Sequence, residues 1–176
     1  MSWWQAFLQI WNHRGTVGRF STPHLIICSD ASRSWGCGAI WGDCWLQWQW
    51  CCPWVTQQIA VKELVPIVLT IVVWGKHWKY QSVLVKCDNM AVVQVLSSLT
   101  SKNAAIMHLL CCSYYYAALF SIHLCAEHIP GIHNTVADCI SCNLLHVFRR
   151  LVPTANECPT PIPEVFGCLL STDHQD

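Results

Sequence analysis

The chain has 176 residues, of which 11% are charged, and ten Lys+Arg balance ten Asp+Glu to a formal net charge of zero. That length suits one domain, and an apolar fraction of 53% supplies a substantial core. Zero net charge excludes a polyanion partner held by overall electrostatics, so any nucleic-acid contact is expected to be local.

Residues 1–22 read as a tryptophan-rich lead-in from a missing upstream domain, with a short helix from Trp3 to Trp11. This stretch lacks the basic start and small-residue cleavage site of a signal peptide, so a cytoplasmic or nuclear location is expected. "HLIICSDAS", from His24, is a short apolar run ending in a polar turn, the pattern of a buried strand. "GCGAIWGDCWLQWQW" has apolar arms on either side of Gly42–Asp43 and predicts a β-hairpin. Gln57 to Trp74 is apolar on nearly every face, and its length predicts a helix that Pro66 should kink just after Glu63. "SVLVKCDN", from Ser82, is a strand ending on an acid, and "MAVVQVLSSL" is a short helix. In the loop "TSKN", Ser101 or Asn103 is expected to cap the helix that follows.

Ala104 to Ala126 is long enough to cross a bilayer, but it carries His108, Ser113, three tyrosines and His123 along its length. It reads as a buried helix followed by a fifth strand, with no membrane role. That strand runs into a Pro130–Gly131 turn, and a last helix spans Asn134 to Phe148, opened by Asn134 or Thr135 as its cap. Residues 150–176 are proline-rich and read as an extended tail or linker. The order βββαβααβα predicts an α/β fold over residues 23–149. Its five-stranded mixed sheet has three antiparallel strands, then parallel ones, with helices on its faces. The thirteen cysteines include the adjacent pairs Cys51–Cys52 and Cys111–Cys112, and they read as reduced, small core residues.

With so few acids, their placement is informative. Asp30 closes the first strand, Glu63 sits in an apolar helix, Asp88 closes the fourth strand and Asp138 lies in the first turns of the last helix. Each alone has a bland explanation as a cap, a turn residue or a surface ion pair. Together they form a set that divalent cations would make tolerable, because a buried carboxylate without a partner is costly. Hard oxygen ligands suit Mg²⁺ or Mn²⁺, and two such ions can flank a scissile phosphate.

These residues resemble the ribonuclease H domain of retroelement reverse transcriptases, of the DIRS and gypsy types. "SDASRSWGCGAIW" resembles the family's first-strand Asp and glycine-rich hairpin, and "IAVKELVPIV" its Glu-bearing helix. "VKCDNMAVV" resembles the strand with the third acid, and "HIPGIHNTVADCIS" the closing His, Asn and Ala-Asp segment. The likeness runs from about Leu25 to Arg149 and extends to the flanks "WWQAFLQIWN" and "RRLVPTANECPTPIPEVF".

The resemblance implies hydrolysis of the RNA strand of an RNA–DNA hybrid, alongside an upstream polymerase domain. Asp30, Glu63, Asp88 and Asp138 would hold two Mg²⁺ ions, or Mn²⁺. His128 would relay protons, or help product leave, from a mobile turn before the last helix. Asn89 and Asn134 would contact nucleic acid, and Lys62, Lys76, Lys79, Lys86 and Lys102 are candidates for phosphate contacts. Relatives tend to carry arginine at the position of Cys142. Thirteen cysteines and eleven tryptophans beside ten Lys+Arg are what decay of arginine codons in a genomic copy would leave.

Three rival readings stay open. A zinc module would use His128, His133, Cys139 and Cys142, since C-x-x-C is a good ligand pair. A thioredoxin-type redox motif would need that pair at a helix N-terminus, which its predicted place inside a helix argues against. An inactive remnant of the same fold would bind nucleic acid, or support a neighbouring domain, without cleaving.

Overall fold

The computed structural model describes residues 25–52, 54–164 and 166. The expected lead-in helix lies outside this range. β1 (Leu25–Ala31), β2 (Gly36–Trp41) and β3 (Cys44–Gln49) form the antiparallel meander read from the sequence. Trp41 pairs with Cys44 across a two-residue turn whose first position, Gly42, has φ +57°. Glycine takes that left-handed conformation without the Cβ clash other residues incur.

α1 (Ile59–Trp74) crosses to β4 (Ser82–Cys87), which lies parallel to β1. α2 (Met90–Ser98) and α3 (Ala104–Leu119) then lead to β5 (His123–His128), parallel to β4. The sheet order is β3-β2-β1-β4-β5. α1 is buried on every face from Val61 to Ile71, between the sheet and α3. This explains why its sequence carries so little helical periodicity. The helix is continuous through Pro66, so the expected kink does not divide it. Asn103 caps α3 by accepting from the N–H groups of Ala105 and Ile106. Among the described residues no helix is long and apolar enough to cross a membrane.

The last helix of the sequence reading is in fact two, α4 (Thr135–Ser141) and α5 (Leu145–Leu151). Asn143, at φ 59°, breaks the run, and the N–H of Leu144 bonds back to the carbonyl of Cys139 at 2.7 Å. Asparagine tolerates this left-handed position better than most residues, which is the physical reason the turn falls there. α4 packs on β1 and β2 from the face opposite α1. There Ile140, Cys139, Trp45, Phe148 and Ala155 make a second, smaller core.

Residues 152–164, beyond α5, form no helix or strand, but they are tied down along β3 and the turn before it. The N–H of Asn156 bonds to the carbonyl of Asp43 and that of Thr160 to Trp45, at 2.8 and 2.7 Å. Arg149 donates to the carbonyls of Ala155 and Glu157 and lies over the Trp45 ring. Further on, Phe166 is buried against Trp48. The strap occupies the Trp45 carbonyl of β3, which would otherwise be open to another chain.

Candidate active site

β1 and β4 run parallel with Cys28 opposite Lys86, so two residues further along Asp30 comes level with Asp88. Carboxylates closing two adjacent parallel strands therefore emerge at the same end of the sheet. Glu63 reaches this end from α1 and Asp138 from the first turn of α4 on the other face. Asp30 and Glu63 are buried, at 7% and 5% exposure, whereas Asp88 is half-buried and Asp138 exposed.

The Ala31 backbone N–H favours the charged form of both the Asp30 and Glu63 carboxylates. Asp30 also accepts a short hydrogen bond from the Ser141 hydroxyl, which touches the Asp138 carbonyl at 3.0 Å. The Cys142 thiol stands 3.6 Å from Asp138 Oδ1. Oxygen or sulfur atoms of Glu63, Cys87 and Asp88 lie within 4.8 Å of one another. Gly131 lines the Asp88 side, where a Cβ would come 3.1 Å from Asp88 Oδ2.

His128 is the last residue of β5, opposite Cys87, rather than part of the following turn. Its Nε2 lies 3.1 Å from the Asp88 carbonyl oxygen. A carbonyl only accepts, so in this arrangement Nε2 carries the proton.

Several residues expected at nucleic acid have a role in the fold. Asn134 is 1% exposed, and its Nδ2 donates to the Ser29 carbonyl at 3.0 Å. It neither caps α4 through its side chain nor presents a surface. Asn89 caps α2, its Oδ1 accepting from Ala91 and Val92. Lys62 is buried, donating to the carbonyls of Arg33 and Val55 at 2.6 and 2.8 Å beneath the Trp50 ring. It thus locks the β1–β2 turn to the chain before α1 and does not face a phosphate. Lys76, Lys79 and Lys102 are exposed and Lys86 half-buried.

The zinc reading finds no support. His128, His133, Cys139 and Cys142 form no common ligand group among the described residues, and Cys139 is packed in the smaller core. Cys139 and Cys142 lie at the C-terminal end of α4, the wrong end for a redox motif. Ser141 and Cys87 are the site residues that the sequence reading missed. Ser141 follows Asp138 by one helical turn, a spacing that offers a hint; Cys87 directly precedes Asp88 and offers only adjacency.

Burial raises the Asp30 carboxyl to about 6, with Ser141 opposing and the charges of Asp88 and Asp138 adding. Burial, then Asp30 and Asp88, raise Glu63 to about 9. The charged neighbours of Glu63 are thus acids, and the donor set suits a hard divalent cation. A folded acid that keeps its proton where the unfolded acid has lost it makes stability fall as pH rises. The window runs from 3.8 to about 6 for Asp30 and from 4.5 to about 9 for Glu63. Thermal melts in EDTA should therefore show Tm falling across this range. The Glu63 share between pH 4.5 and 7 is roughly 3 kcal/mol. Glu63→Gln should flatten the decline, and saturating Mg²⁺ should offset it by displacing the proton. A wild-type Tm that rises from pH 5 to 9 in EDTA would contradict this electrostatic picture.

No protein-family model and no curated protein matches the sequence. Solved structures do resemble the chain. RNase H1 from the halophilic archaeon Halobacterium salinarum NRC-1 aligns with a TM-score of 0.54 at 14% identity, over 70% of this chain and 98% of that one. The N-terminal RNase H domain of a Mycobacterium tuberculosis protein, solved as a fusion with maltose binding protein, gives 0.52 at 20% identity, over 68% and 96%. LC11-RNase H1 in complex with an RNA/DNA hybrid gives 0.54 at 16% identity, over 66% and 92%. The chain has the RNase H fold, a mixed five-stranded sheet with flanking helices. At these identities the likeness is one of fold.

Proposed function

We propose that this domain hydrolyses the RNA strand of RNA–DNA hybrids as the ribonuclease H part of a retroelement reverse transcriptase, next to an upstream polymerase domain. The observation that carries the reading is the convergence of Asp30, Glu63, Asp88 and Asp138 on one end of the sheet. Asp30, Glu63, Asp88 and Asp138 would hold two Mg²⁺ or Mn²⁺ ions, which when bound supply an activated water and charge stabilisation at the leaving oxygen. The remaining chemistry belongs to the chain. Ser141 holds Asp30 in place. His128, whose Nε2 donates to the Asp88 carbonyl, would relay protons to and from the reacting groups. The wide minor groove of an A-like hybrid exposes 2′-hydroxyls, which let backbone amides and polar side chains tell RNA from DNA.

The retroelement setting rests on the sequence resemblance and on the weak substrate grip. With zero net charge and Lys62 buried, the isolated domain should bind hybrid weakly and lean on its neighbour.

The test is cleavage of a hybrid labelled on either strand, with single-stranded RNA and duplex DNA as controls. The expected result is Mg²⁺- or Mn²⁺-dependent cutting of the RNA strand alone, abolished by EDTA. Binding of the hybrid without cutting in either metal would replace this reading with the inactive remnant.

A further inference from the structure

We propose that Glu63, Cys87 and Asp88 form a mixed thiolate–carboxylate site that captures a soft divalent cation, Zn²⁺ or Cd²⁺, and that its filling stops hydrolysis. Hydrolysis of RNA by four carboxylates has no use for a sulfur donor, yet the structure puts one among them. Along β4, Val83, Val85 and Cys87 are buried in alternation, so the Cys87 thiol points into the layer shared with α1. Glu63 comes down from α1 into that same layer, and its Oε2 lies 4.0 Å from Cys87 Sγ. Asp88, next in the chain, completes a trio whose ligand atoms are all within 4.8 Å of one another.

The Glu63–Cys87 spacing is close to what such an ion needs, and Asp88 lies within 4.8 Å of both. Tetrahedral Zn²⁺ with bonds of ~2.3 Å to sulfur and ~2.1 Å to oxygen sets its ligand atoms about 3.5 Å apart. Closing the observed 4.0 Å to that value takes about half an ångström, within reach of Glu63 side-chain torsions. Asp88 is half-buried, so the ion enters from its side and water takes the fourth position. On capture the Cys87 S–H bond breaks, the sulfur bonds the metal and the proton passes to water. No oxidation state changes. Thiolate ligands favour Zn²⁺ and Cd²⁺ over Mg²⁺, whose preference is for oxygen alone. A soft ion on Glu63 and Asp88 would occupy two of the four carboxylates assigned to the hard ions. The inhibitory half of the proposal rests on the nuclease reading, and the capture half does not.

The full chain carrying Cys51→Ser and Cys52→Ser, which removes the exposed adjacent thiols, is titrated with Cd²⁺ alone. The expected result is one tight Cd²⁺ per chain with a cadmium–thiolate absorption band. Adding Cys87→Ser or Cys87→Ala should abolish the band and weaken binding by about 100-fold or more. Adding Cys142→Ser, at the neighbouring thiol beside Asp138, should change neither. X-ray absorption of the one-to-one complex reads the native site without a Cys87 substitution, and one sulfur with oxygens is expected. A sulfur-rich shell, or a band that survives in both Cys87 variants, overturns capture. In hybrid cleavage, Cd²⁺ or Zn²⁺ should inhibit the Mg²⁺-supported rate. Sensitivity should fall about 100-fold in Cys87→Ser, each protein being measured against its own uninhibited rate. Undiminished cleavage with Cd²⁺ bound overturns the inhibitory half. Absence of cleavage in both Mg²⁺ and Mn²⁺ overturns the nuclease reading and with it inhibition, while the band still decides capture.

Discussion

Asp88→Asn is expected to lower the rate of hybrid cleavage by about 10³-fold while leaving the protein folded. Asp88 stands just past β4, half-buried, and its carbonyl rather than its carboxylate meets His128. The substitution keeps the shape and removes one negative charge, so it separates charge from packing. Two consequences should appear together. The Glu63 carboxyl, now raised partly by Asp88, should move down toward its usual range. Stability without divalent cations should hold or improve, because a buried repulsion is gone. Turnover of labelled hybrid in Mg²⁺ checks the first effect, and thermal melts in EDTA check the second. A variant that cleaves at the wild-type rate would remove the metal-ion mechanism outright.

Gly38→Ala is expected to destabilise the protein by about 3 kcal/mol, a fall in Tm on the order of 10 °C. A Cβ at Gly38 would lie 2.3 Å from Ile140 Cγ2, 2.7 Å from Ile140 Cβ and 3.1 Å from the Ser141 backbone nitrogen. Ile140 is fully buried and its Cβ is rooted in the backbone, so α4 as a whole must retreat from β2. Ser141 and Asp138 ride on that helix, so the hydrogen bond to Asp30 should loosen and cleavage should fall with stability. Gly42→Ala is the matched comparison. Nothing lies within 4 Å of a Cβ there, but φ is +57°, so only conformational strain of about 1 kcal/mol is expected. Denaturant unfolding of both variants checks the pair. Equal losses would show that backbone freedom, not the close approach of α4, is what Gly38 provides.

Much of the framework is legible in the residues themselves. "LIICSDA" and "SVLVKCD" are short apolar runs closed by an acid, and they became β1 and β4 with Asp30 and Asp88 at matching ends. α1 was readable from length despite its uniform apolarity. The break at Asn143 and the strap beyond Arg149 were not. A single asparagine marks the first only weakly, and the second depends on an edge strand more than a hundred residues away in sequence.

The sequence by itself determined the order of the strands and main helices, the α/β class and the acids at the ends of β1 and β4, because period, length and turn residues are local properties. Tertiary structure alone decided which polar groups serve the acids and which serve the fold. Ser141 reaches Asp30 across 111 residues, Cys87 turns inward beside Glu63, and Lys62 and Asn134 spend their donors on distant backbone carbonyls. Burial leaves each of these groups to satisfy its hydrogen bonds with whatever the packed chain brings near, and local pattern carries no record of that.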